Sequence, residues 1–197
     1  MTEGFEQLDM PDASVWYIES FYSLERAAQL ERELYEQIDW RSDKIKIFGK
    51  EHKIPRLHAF YGDLGLSYSY SGIYNAAHNW LAILEMIRDE ISVALDIQFN
   101  SVLCNLYRDG NDSNGWHADD ERELGINPVI ASLSFGESRD FQFKHRGTGD
   151  RMAINLMSGS LLVMAGKTQS NWLHCVPKRR RCNSPRINLT FRRIFLS

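Results

Sequence analysis

The heptapeptide RINLTFR, residues 186–192, decides the fold class. Its odd-numbered residues, Ile187, Leu189 and Phe191, are apolar, and its even-numbered residues, Arg186, Asn188, Thr190 and Arg192, are polar. A period of two sends these sets to opposite faces of a strand, one toward a core. A solvated edge strand would alternate in the same way, so the neighbouring segments have to decide. Moving back from it to residue 98, short β-branched and aromatic runs follow one another: FNSVLCNLY, VIASLSF, DFQFKH, AINLM, LLVMA and WLHCV. Gly, Asn, Pro or charged turns separate them. This is the pattern of a β-sandwich or barrel. Before residue 98 the pattern is different. Leu24, Ala27, Ala28, Leu34 and Ile38 have helical spacing within Ser23 to Ile38. A second helix, with Asn79 as its cap, carries the stripe Leu84, Ile87, Ile91 and Leu95. Leu66 to Tyr70 reads as a strand, and Lys46 to Lys50 as an aromatic hairpin. The expectation is an α+β chain, mainly β, with helices packed outside a barrel.

Composition narrows the function classes. The chain has 197 residues, 43% hydrophobic and 25% charged, which suits one globular domain with a real core. Its apolar runs are too short to span a bilayer, and MTEGFEQLDMPDAS lacks the features of a signal peptide. The three cysteines, Cys104, Cys175 and Cys182, form no CxxC pair, so neither a disulfide framework nor a zinc knuckle is expected. A cytoplasmic location, or a nuclear one in a eukaryote, follows as the default. The net charge of −3 argues weakly against a nucleic-acid partner, but the charges are segregated. Asp109 to Glu123 is acidic, and Lys178 to Arg193 holds basic residues and no acid. The run Lys178-Arg179-Arg180-Arg181, taken alone, is best read as a solvated loop.

Within the acidic zone, NGWHADDERELG (residues 114–125) places His117 and Asp119 two apart at the end of a strand. Such a pair can converge on one ion, although a solvated acidic loop would look similar. A third ligand must come from a distant segment, and His174 in WLHCV is the best candidate. Two histidines and a carboxylate on one face of an octahedral metal are the arrangement of non-haem iron(II) oxygenases. By itself an H-x-D and a distant histidine is common by chance, and His174 alone also reads as a core histidine with satisfied hydrogen bonds. Arg186 and Arg192, six residues apart, are separated by roughly 20 Å along a strand. A small dicarboxylate could sit between them with one end on each guanidinium. Asn105 and Tyr107, also two apart, could hydrogen-bond the same ligand.

In this order, Asn105-x-Tyr107, His117-x-Asp119, His174 and Arg186-x5-Arg192 resemble the AlkB family of iron(II)- and 2-oxoglutarate-dependent nucleic-acid dealkylases. The resemblance runs from about Ile47 to Ile194. FGKEHKIPRLHAFYGD, LSYSYSG and WHADDERELG are most similar to the animal branch that repairs DNA. It implies a double-stranded β-helix (jelly-roll) core with flanking N-terminal helices. It implies iron(II) on His117, Asp119 and His174, with 2-oxoglutarate and dioxygen as cosubstrates. Arg186 would pair with the distal carboxylate, helped by Tyr107 and Asn188. Arg192 would support the metal-side carboxylate, with Asn105 nearby. The implied reaction converts 2-oxoglutarate to succinate and CO2 while an N-alkyl carbon is hydroxylated, after which an aldehyde and the repaired base separate. Bases such as 1-methyladenine and 3-methylcytosine are the implied substrates.

A base inside a duplex cannot reach a buried iron, so it must be extruded or come from a single strand. By resemblance Tyr70 stacks on the lesion and Tyr68 shapes the pocket, although packing a strand is their alternative role. Phe48 corresponds to an apolar finger that fills the vacated stack, Arg56 to a lid residue, and Glu121 to a reader of the base edge. The segment from Lys144 to Arg151 is shorter than the animal loop that grips the opposite strand, and the N-terminal region is reduced. Strand preference is therefore left open, and RNA remains a conceivable partner beside alkylated DNA. The expected protein is a monomer with no membrane attachment. Residues 1–197 would be one oxygenase domain, with helices and nucleotide-recognition hairpins over 1–98 and the catalytic β-helix over 99–197. Two other readings remain: a related oxygenase acting on RNA or protein, and a β-barrel binding module without catalysis. The second would need neither the triad nor both arginines.

Overall fold

The computed structural model describes residues 4–47, 50–70 and 73–195. The first half contains β1 (Glu6–Gln7), β2 (Ser14–Ile18), α1 (Leu24–Gln37), β3 (Lys44–Ile47), β4 (Lys50–Lys53), β5 (Leu57–Gly62), β6 (Ser67–Tyr70), β7 (Ile73–Ala76) and α2 (Ala82–Leu95). The second contains β8 (Ser101–Tyr107), β9 (Asn114–His117), β10 (Ile130–Gly136), β11 (Arg139–His145), β12 (Arg151–Leu156), β13 (Leu161–Ala165), the short α3 (Thr168–Asn171), β14 (Trp172–Val176) and β15 (Arg186–Arg192). A seven-stranded antiparallel sheet runs β1-β2-β13-β10-β15-β8-β5, and a four-stranded one runs β12-β11-β14-β9. From β8 to β15 the chain passes repeatedly between the two sheets, which makes a double-stranded β-helix. The hairpins β3–β4 and β6–β7 stand apart as two-stranded sheets.

Alternation explains the layering. The outward residues Ile187, Leu189 and Phe191 of β15 join Val102, Cys104 and Leu106 of β8 and Ala131, Leu133 and Phe135 of β10. Against them pack Leu30 and Leu34 of α1 and Leu84, Ile87 and Ile91 of α2, all fully buried. Each such side chain contributes about 1.5–3 kcal/mol of transfer free energy relative to exposure. The opposite face of the large sheet meets the small one through Leu103, Ile130, Phe141, Phe143, Leu162, Met164 and Trp172. All seven residues of β15 are buried, because this strand lies between β10 and β8 rather than at an edge.

The seven segments expected as strands after residue 98 are all strands, and β9 precedes the ion-binding pair as expected. Helix α1 lies within the span its spacing predicts, and its cap is Ser23, whose hydroxyl accepts from the Arg26 amide at 3.2 Å. Asn79 is not the cap of α2. The N-cap is Leu81, without a side-chain hydrogen bond, and the preceding chain stays extended. Two contacts hold it there: His78 bridges Tyr61 in parallel, and Trp80 Nε1 donates to Asp63 at 2.9 Å. The first half also supplies β1, β2 and β5 to the large sheet. Among the described residues no helix is long and apolar enough to cross a membrane.

Candidate metal and cosubstrate centre

The small sheet brings two of the three expected ligands together directly. His117 at the end of β9 is the register partner of His174 on β14, and their ring centroids are 4.2 Å apart. Asp119 follows two residues after His117, so its side chain returns to the same face. One donor atom from each of His117, Asp119 and His174 lies within 4.8 Å of the others. No other such group of three occurs among the described residues.

The surroundings prepare these groups for a cation. The Gly115 carbonyl can only accept, so His117 Nδ1, 2.8 Å away, carries the proton and Nε2 keeps its lone pair. The Asn114 amide lies 3.2 Å from that Nε2 and occupies it as a hydrogen-bond donor. His174 stacks on Phe141, with centroids 5.1 Å apart. Burial, aided by the neighbouring His117 and Arg192 and opposed by Asp119, pushes its pKa down to about 3, so the imidazole is neutral. Burial also lowers the His117 pKa, against the pull of Asp119. For Asp119 burial would act upward, but Arg192, His174 and His117 together hold the carboxyl below its usual range. Two neutral imidazoles and one ionised carboxylate are the donor set that iron(II) takes. The residues present therefore fit the metal.

Two residues fix Asp119. Arg192 Nη2 donates to Oδ1 at 2.7 Å, with both side chains almost completely buried. The Gln169 side chain, 1% exposed, accepts from the Asp119 amide at 2.9 Å. The sequence places Arg192 at a ligand carboxylate; in the structure it also holds the metal-binding carboxylate itself.

Between the sheets the triad opens into a cleft of about 420 Å³, counted out to its mouth. Asn105, Tyr107, Asn188, Thr190 and Arg192 line its large-sheet wall. Arg186 lies behind this lining, 1% exposed, with Nη2 on the Ser134 hydroxyl at 2.9 Å and Cζ 5.2 Å from the Tyr107 ring. Its Nε and Nη1 meet no acceptor among the described residues in hydrogen-bond geometry. Burial pushes its pKa down to about 10; Tyr107 resists this and the Arg139 charge adds to it. A buried guanidinium with two unused donors fits the far carboxylate of a short dicarboxylate such as 2-oxoglutarate. Asn188 is less available than expected. Its Nδ2 already donates to Ser132 Oγ at 2.8 Å and to the Leu133 carbonyl at 3.0 Å.

The expected base-contacting residues divide into groups. Phe48 lies outside the described residues, as do the side chains of Tyr68 and Tyr70; the β6 backbone that carries the tyrosines is present. Arg56 is 5% exposed, and its Nε donates to Asn105 Oδ1 at 2.8 Å. Its Nη1 donates to the Ser113 carbonyl at 3.3 Å, so these two contacts face the cosubstrate wall. Glu121 is partly buried, two residues beyond Asp119, and opens the turn Arg122–Leu124. The sequence reading missed Gln169, Asn114 and Ser134. A polar residue in the short link between LLVMA and WLHCV was the available signal for Gln169.

Comparison with known proteins agrees with the geometry. The pattern of the 2OG-Fe(II) oxygenase superfamily matches residues 14–192. "DNA oxidative demethylase ALKBH2" of Mus musculus is 42% identical over 179 residues, which cover 85% of this chain and 75% of the relative. The Homo sapiens protein of that name is 40% identical over 182 residues, covering 87% and 70%. "Alpha-ketoglutarate-dependent dioxygenase alkB homolog 3" of Mus musculus is 39% identical over 184 residues, covering 89% and 64%. The chain thus spans between 64% and 75% of the length of these animal relatives. The solved structure of OsALKBH1 superposes with a TM-score of 0.66 at 15% identity, covering 96% of this chain and 99% of that one, which establishes likeness of fold. With a triad of the right donors, a buried arginine behind it and a family match over nearly the whole sequence, the chain belongs to the 2OG-Fe(II) oxygenase superfamily, whose chemistry uses iron(II), 2-oxoglutarate and dioxygen.

Proposed function

We propose that this chain removes alkyl groups oxidatively from damaged DNA bases, 1-methyladenine and 3-methylcytosine among them, as a single oxygenase domain over residues 1–197. The first half provides helices and recognition hairpins and the second the catalytic β-helix. The observation that carries the reading is the His117–Asp119–His174 cluster at the floor of a cleft backed by Arg186, in a chain 42% identical to a protein named a DNA oxidative demethylase.

When bound, iron(II), 2-oxoglutarate and dioxygen would supply the oxidising chemistry, one oxygen atom going to succinate as CO2 is lost and the other to the N-alkyl carbon, whose hydroxylated form breaks down to an aldehyde and the normal base. The protein's own part is positional. His117 and His174 offer neutral nitrogens and Asp119 a carboxylate, leaving one face of the ion for other ligands. Arg192 holds Asp119 Oδ1 at 2.7 Å and so fixes the carboxylate that would bind the metal. Arg186 receives the distal carboxylate of 2-oxoglutarate beside Tyr107, and Asn105 lines the wall near the metal. The Asn114 amide, 3.2 Å from His117 Nε2, holds the ring in the orientation in which that nitrogen would serve as a ligand. Arg56 braces Asn105 from the recognition side. Tyr68 and Tyr70 stack the extruded base, Glu121 at the mouth favours a cationic methylated base, and Phe48 fills the gap in the stack.

Succinate formation measured with unmodified DNA, methylated DNA, methylated RNA and no nucleic acid tests the proposal. Stimulation by methylated DNA above all the others supports it. Equal turnover with every addition, or greater stimulation by methylated RNA, refutes the DNA assignment.

A further inference from the structure

Arg139, the first residue of β11, is 1% exposed, yet it forms no ion pair among the described residues. It spends its fork on backbone carbonyls. Nη1 donates to Asp109 at 3.2 Å, and Nη2 to Asp112 at 2.9 Å and Pro177 at 2.6 Å. The first two belong to the turn that leaves β8 after Tyr107, and the third follows β14 just beyond His174. Its Nε has no hydrogen-bond partner among the described residues. The nearby Asp112 carboxylate is taken up by Arg108, through the backbone amide at 2.9 Å and two guanidinium nitrogens at 2.8 Å.

The second observation concerns Tyr107. Arg139 Cζ lies 5.7 Å from its ring centroid and Arg186 Cζ lies 5.2 Å from the same point. The two guanidinium carbons are therefore at most about 11 Å apart. Among the described residues neither is paired with a carboxylate, and both are out of water, an arrangement that is costly until an anion arrives. Arg186 is placed to touch that anion. Arg139 is placed to attract it from behind the tyrosine and to keep the tyrosine still.

We propose that Arg139 is a positioning residue that sets the preference of the centre for a dicarboxylate 2-oxo acid, by adding a second buried positive charge behind Tyr107 and by anchoring the turn that carries that tyrosine. The inference rests on placement of the distal carboxylate at Arg186. A carboxylate held on Arg186 lies within about 15 Å of Arg139, and at an effective dielectric of about 20 the attraction between unit charges at that separation or closer corresponds to an effect on the order of tenfold in affinity. Removing the Arg139 charge should weaken a ligand with a distal carboxylate by about that factor, and spare one without.

Zinc-loaded protein, which is redox-inert, allows a calorimetric test with two probes. One is 2-oxoglutarate. The other is oxalate, which chelates a metal through a similar pair of oxygens but has no chain carrying a further carboxylate. For Arg139→Met the expected result is a Kd for 2-oxoglutarate raised about tenfold, with the oxalate Kd changed less than about twofold. Arg139→Lys should recover most of the loss. If Arg139→Met does not fold, Arg139→Gln carries the same comparison. Equal weakening of both probes would make Arg139 mere scaffolding and overturn the proposal, as would unchanged 2-oxoglutarate binding. Arg186→Met serves as the control: if it binds 2-oxoglutarate like the wild type, the carboxylate is not at Arg186 and both readings fall. Loss in that variant with no effect at Arg139 overturns only the present inference.

Discussion

Replacing Arg186 by methionine should separate ligand binding from folding in opposite directions. The guanidinium is 1% exposed and donates from Nη2 to Ser134 Oγ at 2.9 Å, while Nε and Nη1 lack acceptors among the described residues. In the ligand-free protein it is a buried cation without a counter-charge. An isosteric apolar replacement of a buried charge is often neutral or stabilising by about 1–4 kcal/mol. In the complex with 2-oxoglutarate the same group would be half of a buried, hydrogen-bonded charge pair. Truncating one partner of such a pair costs about 2–5 kcal/mol, or roughly 30- to 4,000-fold in Kd. Arg186→Met is therefore expected to melt at the same temperature as the wild type or higher, and to lose the stabilisation that 2-oxoglutarate confers. Calorimetric titration of the zinc-loaded protein, with melting curves at several 2-oxoglutarate concentrations, reads both effects. A Kd within threefold of wild type would place the cosubstrate elsewhere. A lower melting temperature without ligand would mean that the arginine is structural.

Other perturbations follow from the same contacts. Asp119→Ala should abolish metal uptake in a cobalt(II) absorbance titration and, by stranding Arg192, cost about 3–5 kcal/mol of stability; adding Arg192→Met should restore stability but not metal, and metal binding by either variant would contradict the triad. At Gly110 a Cβ would lie 1.8 Å from the Arg179 carbonyl oxygen, where the turn of residues 178–182 docks on the loop after β8. Gly110→Ala should cost about 1–3 kcal/mol and lower the melting temperature by roughly 2–12 °C; an unchanged melt would refute that docking. Burial would raise the Asp112 carboxyl, but Arg108 and the Arg139 charge bring it below its ordinary pKa. A depressed folded pKa gives stability that is complete above the unfolded value and lost as pH falls through the folded one. Asp112→Asn should thus destabilise at neutral pH and flatten the loss of stability below about pH 4, read from urea midpoints across pH; a pH slope like that of the wild type would count against the pair.

What was legible in the sequence follows from the range of each interaction. The alternation of residues 186–192 and the helical spacing from Ser23 to Ile38 are local, and both elements form where they were expected. The triad was legible because i, i+2 spacing on a strand needs no knowledge of the partner sheet, and the family resemblance supplied the order of the remaining residues. The α2 start was misplaced because a tertiary contact, Trp80 to Asp63, overrides the Asn79 signal. The N-terminal strand β2 reaches its place beside β13 by pairing Ser14 with Ala165, a non-local choice that no local pattern records. The same holds for Gln169 on Asp119, 50 residues apart, and for Arg192 on Asp119, 73 residues apart. Arg139 was hidden for a further reason: its partners are backbone carbonyls, which have no residue-type signature.

The central claim is tested most directly by mass spectrometry of synthetic DNA carrying a single 1-methyladenine or 3-methylcytosine. The oligonucleotide is incubated aerobically with the protein, iron(II), ascorbate and 2-oxoglutarate, with His174→Ala in parallel. The account predicts that the methyl mass is lost, that one formaldehyde and one succinate appear for each base restored, and that the variant does nothing. Methylated DNA returned intact by the iron-loaded wild-type protein, while succinate accumulates at the rate seen without DNA, would contradict it.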